Sequence, residues 1–163
     1  MAVLTEAHAR EIVNNVWAAK ELFIVLSESQ YHDGISVPRA FKVSEKDISL
    51  SIFTTYRFAE NFCRSEKYVI EGRPLIGRID NTDKLYDLYS IVNLALHLGV
   101  THTDIDCLTD DVMNIRLAAL MEWGGKKPQG LSMLMSKEEY KRRTAEGRLG
   151  LNFNEMPLYT PPQ

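Results

Sequence analysis

From residue 102 to residue 107 the sequence reads His-Thr-Asp-Ile-Asp-Cys, so His102, Asp104 and Asp106 alternate with Thr103, Ile105 and Cys107. Alternate residues of a strand share a face, and an imidazole beside two carboxylates is a donor set that a divalent cation accepts. The same alternation describes a solvated strand face or an edge kept from pairing by its charges, and no established metal motif has this form. The expectation is therefore no metal and no cofactor, with His102, Asp104 and Asp106 as the candidates if one binds. Gly72-Arg73-Pro74 and Gly77-Arg78 set two arginines among glycines, where guanidinium forks can grip a carboxylate or a phosphate. Those glycines match no phosphate-loop pattern, so Arg73 and Arg78 read first as solvated or ion-paired side chains. For nucleophilic catalysis there is no G-x-S-x-G elbow, and neither Cys63 nor Cys107 has a CxxC spacing or an activating neighbour pattern. His32 and Asp33, in a polar loop over 27–38, have the types of a base and its orienter, but no nucleophile goes with them.

Composition narrows the classes further. A chain of 163 residues with 45% hydrophobic and 25% charged content can bury one core, which favours a single domain with an appendage. A net charge of −3 argues against a general nucleic-acid binder, since phosphate neutralisation needs a concentrated basic surface, and leaves room only for a local basic patch. The opening MAVLTEAHAREI carries early charges and no apolar signal-like run, and no stretch reaches the roughly 18 apolar residues of a membrane span. The expected location is the cytoplasm, with both cysteines reduced.

The elements that must position these residues follow from periodicity. Residues 5–20 carry Ala9, Ile12, Val13, Val16 and Trp17 on one helical stripe behind a Thr cap. LFIVL over 22–26 is a continuous apolar run, as in a strand covered on both faces and central in its sheet. Residues 40–43 and 48–53 form a hairpin around SEKD, and at Thr54 and Thr55 the period changes from two to 3.6, which marks a strand-to-helix corner. The helix that follows should turn Phe58 and Phe62 inward, opposite Ile48, Leu50 and Ile52. Two short β-like pieces come next, at 68–70 and 75–79. A long helix capped by Asn81, Thr82 or Asp83 runs to Gly99, a strand covers 100–107, and a helix opens at Thr109-Asp110-Asp111 and ends at Gly124-Gly125. The fold expected is α/β or α+β: a single mixed or antiparallel central sheet of about five strands with helices packed on it.

Beyond Gly125 the composition shifts, dividing the chain into a 1–125 core domain and a 126–163 C-terminal arm. A short polar helix from Ser136 to about Arg148 and several prolines give this arm little means of ordering itself. Leu151, Phe153, Met156 and Tyr159 are nonetheless too apolar for a solvated tail, and they are the interaction candidates, packing on the core or on a partner subunit.

Strand, loop, hairpin, the corner Ile52-Phe53-Thr54-Thr55, the helix residues Phe58-Ala59-Glu60-Asn61-Phe62, a second helix and a short strand together resemble the SseB-like (enhanced serine sensitivity) N-terminal domain family over about residues 20–123. The chain departs from that family after its last strand, where Asp106-Cys107-Leu108-Thr109-Asp110 replaces an Asn-Pro-Gly-like turn. The resemblance implies a small α/β domain with no well-established catalytic residues and an unassigned molecular role. The expected function is thus a non-catalytic protein-interaction or regulatory module, with a protein partner or self-association through the arm. The alternative is a small-ligand- or metal-binding enzyme using the 27–38 loop and the His102/Asp104/Asp106 face.

Overall fold

The LFIVL run becomes the inner strand of a mixed sheet in the computed structural model, which describes residues 5–28, 36–38, 40–82, 87–97, 99–107, 109, 112–129 and 158–162. Helix α1 (Glu6–Ala18) precedes it, capped by the Thr5 side chain, which accepts from the His8 N–H at 3.1 Å. Strand β1 (Glu21–Glu28) then returns toward β2 (Ser36–Pro38), and β3 (Ala40–Lys42) forms the expected hairpin with β4 (Ile48–Phe53). Helix α2 (Tyr56–Ser65) starts at Thr55, whose hydroxyl accepts from Phe58 N–H at 3.2 Å. A separate two-stranded hairpin, β5 (Val69–Ile70) with β6 (Arg73–Pro74), turns through Glu71 and Gly72, both at positive φ as a type I′ turn requires. The chain continues through β7 (Ile76–Asp80), α3 (Leu88–His97), β8 (His102–Ile105), β9 (Met113–Arg116) and α4 (Leu117–Trp123).

Pairing orders the sheet as β7, β1, β4, β8, β9, antiparallel throughout except for the parallel pair β4–β8. This is an α+β fold with a mixed sheet. Its strand count rises above five because β1 and β4 pair only at Phe23–Phe53 and Ile24–Ile52 and then diverge. In the fork that opens, β2 runs back along β1 and β3 runs out along β4.

Period two then sorts the core into two layers. Leu22, Ile24, Leu26, Leu50, Ile52, Ile105 and Met113 face a layer built with α1, α3 and α4. Phe23, Val25, Phe53 and Ile76 face α2, which contributes Ala59, Phe62 and Cys63. Phe62 is buried as expected, but it packs on Phe53, Phe41 and Tyr68, whereas Leu50 and Ile52 face the other layer. Phe58 is only half-buried. The Trp17 indole N–H donates to the Leu120 carbonyl at 2.9 Å and joins α1 to α4, and its ring fills the space that a Cβ on Gly124 would need.

Beyond Asn81, three boundaries differ from the sequence reading. Val112 to Arg116 is no helix: Met113 and Ile115 alternate with exposed Asn114 and Arg116 as β9, and α4 begins only at Leu117. Thr109 therefore lies in the β8–β9 connection rather than capping a helix. At α3 the described cap is Asp87, whose carboxylate accepts from Ser90 N–H at 3.2 Å. Asn81 instead ties α1 to α3, donating to the Ala19 carbonyl at 2.7 Å and accepting from Leu88 N–H at 2.8 Å. Finally, β8 ends at Ile105, because Asp106 turns into the left-handed region at φ 56°.

Candidate functional site

That turn separates the three candidates of the strand face. Asp106, almost fully buried, spends its carboxylate on the strand-to-helix corner, accepting from the Thr54 N–H at 2.8 Å and the Thr54 hydroxyl at 2.7 Å. It clasps the C-terminal ends of the parallel strands β4 and β8. Asp104 stays on the strand face and is held from both sides: buried Ser49 donates to it at 2.7 Å from β4, and Asn114 donates from β9. His102 belongs to a third set, with Nδ1 at 2.9 Å from the Thr101 hydroxyl and 3.8 Å from an Asp47 oxygen. His102 and Asp104 share a face, but neither shares its partners with Asp106. Among the described residues no group of three or more His, Cys, Asp or Glu side chains is spaced to hold a metal ion.

A serine beside an aspartate invites comparison with a nucleophile, and the geometry answers it. Ser49 is fully buried and donates directly to Asp104, with no imidazole between them to take its proton. Next to this face, burial pushes the Cys107 thiol up to about 11, helped by the negative charges of Asp104 and Glu66. A thiol so raised is protonated at neutral pH and is a poor nucleophile. Cys63 lies on the buried face of α2. Iodoacetamide at pH 8 should accordingly label the folded chain at least tenfold more slowly than a free thiol of pKa about 8.5. Mass spectrometry with and without denaturant checks this, and rapid labelling of native Cys107 would contradict it. The loop expected over 27–38 is shorter at both ends, because residues 27 and 28 belong to β1 and residues 36–38 pair with β1 as β2; its residues His32 and Asp33 lie outside the described residues.

The two candidate arginines lead to a different place. Arg78 on β7 bonds Glu21 at 3.3 Å and Asp80 at 3.0 Å. The Thr82 hydroxyl and N–H, which close the turn after β7, hold the Asp80 carboxyl below the usual carboxylate range, and Arg78 adds to the effect. Beyond these pairs the guanidinium of Arg78 lies 5.9 Å from the ring of Tyr159, while Arg73 on β6 donates to the Thr160 hydroxyl at 2.9 Å. Both arginines thus meet the C-terminal tail.

There the tail forms one rung on β7. Tyr159 N–H donates to the Ile76 carbonyl at 2.8 Å, on the edge of β7 away from β1. Successive side chains then go to opposite layers, as in a strand: Leu158 packs against the α1/α3/α4 core and Tyr159 against the α2 layer. The Tyr159 ring centroid lies 5.3 Å from Phe23 and 5.6 Å from Tyr56, and those two rings meet edge-on at 5.8 Å. Burial, then the nearby Glu60 carboxylate, raises the Tyr56 hydroxyl above its ordinary value, so it stays neutral in this slot. Pro161 and Pro162 follow, and having no N–H they cannot extend the ladder.

No protein-family model matches the chain, and no curated protein matches it. The SseB-like resemblance accordingly rests on the residues of the 52–62 corner and the order of elements.

Of the interaction candidates in the arm, Tyr159 is the one placed; Leu151, Phe153 and Met156 lie outside the described residues. The start of the arm is held as well. Asn93, fully buried in α3, donates to the Gln129 carbonyl at 3.1 Å and accepts from its N–H at 2.9 Å. Tyr89 and His97, four residues to either side, bond the carbonyls of Lys127 and Gln129 at 2.6 Å each. Sequence reasoning missed this polar row inside the apolar α3 stripe, although the i, i+4, i+8 spacing of Tyr89, Asn93 and His97 was its signal. It also missed the slot walls: Phe23 read only as part of the LFIVL strand, and nothing tied Phe23 or Tyr56 to Tyr159. Among the described residues no helix is long and apolar enough to cross a membrane.

Proposed function

We propose that the chain is a non-catalytic protein-interaction or regulatory module of the SseB-like type, cytoplasmic, acting through its C-terminal arm on a protein partner or a neighbouring copy. One observation carries this: an extended segment with an aromatic anchor lies on a sheet edge, which is how peptide-binding domains hold their ligands, by main-chain bonding for affinity and side-chain slots for selectivity. The polar groups of the strand face supply no counter-reading, since Asp104 and Asp106 are occupied by Ser49, Asn114 and Thr54. The net charge of −3 suits a protein partner better than a nucleic acid.

Affinity capture from the source cells tests this reading, with the tagged full chain beside a version ended after Gln129, which keeps the contacts of Tyr89, Asn93 and His97. The expected result is a partner, or untagged copies of the chain, whose recovery differs at least tenfold between the two. Equal recovery by both would contradict a role for the arm.

A further inference from the structure

The slot beside β7 is built for more than one side chain. Its parts are a backbone acceptor at Ile76 on the edge of β7 away from β1, an aromatic corner made by Phe23 and Tyr56, and two guanidinium groups, Arg78 near the ring and Arg73 on the next hydroxyl. Leu158 fills a position on the opposite layer. The occupant is read in an alternating pattern: an apolar residue, then tyrosine, then a small hydroxyl residue, with proline ending the pairing.

We infer that this slot is a docking site for extended peptide segments in trans, of the chemistry apolar–Tyr–Thr/Ser–Pro on a protein partner, and that the chain's own tail occupies it in cis as a resident competitor. The inference rests on the interaction-module reading and adds the surface and the kind of partner. Three features favour an exchangeable occupant over a fixed structural strand. The tail makes one main-chain bond to β7 among the described residues, whereas β1 pairs with β7 along five residues. Its second anchor, Thr160 on Arg73, joins two exposed side chains and is weakened by solvent. Prolines at 161 and 162 stop the pairing from growing, which keeps the affinity of the tail low. A tethered ligand with few contacts occupies its site through effective concentration, and a partner presenting the same pattern with a longer ladder displaces it.

The test uses the full chain and a fluorescent synthetic peptide spanning residues 155–163. In a polarisation titration the Tyr159→Ala chain, whose slot is emptied, is expected to bind the peptide at least tenfold more tightly than the unaltered chain, where the tail competes. A peptide with alanine in place of its tyrosine should bind neither. Thermal melts establish that Tyr159→Ala is folded; if it is not, Thr160→Ala, which removes only the exposed contact to Arg73, should still raise peptide affinity several-fold. Equal affinity of the peptide for the unaltered and altered chains would overturn the inference. So would concentration-dependent dimers of the unaltered chain that Tyr159→Ala abolishes, since a second copy would then be the occupant. If the peptide fails to bind while cellular capture still depends on the arm, the slot is wrong and the module reading stands; if capture fails as well, both fall.

Discussion

Replacing Phe62 with alanine should destabilise the protein by about 3–5 kcal/mol, the range for removing a buried aromatic ring from a packed core. Phe62 is 7% exposed and lies 5.4 Å from Phe53, 5.8 Å from Phe41 and 5.9 Å from Tyr68, centroid to centroid. Those rings come from β4, β3 and the segment after α2, so the loss is felt in all three elements. A whole domain has only about 5–15 kcal/mol of stability, and the substitution removes a large part of it. With a urea dependence of about 1–3 kcal/mol per molar, the unfolding midpoint should fall by on the order of 1–5 M. Phe58→Ala, at a half-buried position on the margin of the same cluster, should cost less than half as much. Equal effects of the two substitutions, or a midpoint unmoved by Phe62→Ala, would show that α2 is not seated on this face.

The second large effect is expected at Asp106. Its carboxylate accepts two bonds from Thr54, and bonds to a charged group contribute about 1.5–3 kcal/mol. Its backbone is left-handed at φ 56°, where aspartate, asparagine and glycine are tolerated and alanine pays about 1–2 kcal/mol per residue. Asp106→Ala loses both contributions and should cost about 3–4 kcal/mol. Asp106→Gly recovers the backbone part and Asp106→Asn keeps the backbone preference with one acceptor, so the expected order of damage is Asn, then Gly, then Ala. A double-substitution cycle with Thr54→Val measures the clasp itself and should return a coupling of about 1–3 kcal/mol. An Asp106→Ala chain within about 0.5 kcal/mol of the original would mean that the corner is held by other contacts.

Much of the scaffold was legible because periodicity reports burial. LFIVL gave a strand covered on both faces, Thr5 and Thr55 gave caps, and the Thr54 corner gave the strand-to-helix switch. Where one signal overrode another, the reading failed. The acidic pair after Thr109 resembles a helix start strongly enough to hide four alternating residues of β9, a strand specified by its register with β8 rather than by its own length. The fork between β1 and β4 was likewise not legible, since divergence of two strands is set by what fills the gap and leaves no periodic trace.

The site was less legible for a related reason. Alternation put His102, Asp104 and Asp106 on one face only while the strand lasted, and a single left-handed residue ended it at Asp106. Arg73 and Arg78 were singled out as guanidinium forks for a carboxylate or phosphate; what they meet is Thr160 and the Tyr159 ring, from the far end of the chain. No local pattern links residue 73 to residue 160, or Phe23 to Tyr159, because the slot exists only after the sheet has brought β7, β1 and the start of α2 together.

Amide hydrogen exchange at Tyr159, followed by nuclear magnetic resonance in the full chain, tests the seating of the tail on β7 most directly. Bonded to the Ile76 carbonyl, this amide should exchange at least tenfold more slowly than an unprotected one, with ring contacts from Tyr159 to Phe23 and Tyr56 in the same spectra. Exchange at the unprotected rate, without those ring contacts, would contradict the docked tail and the interaction role drawn from it.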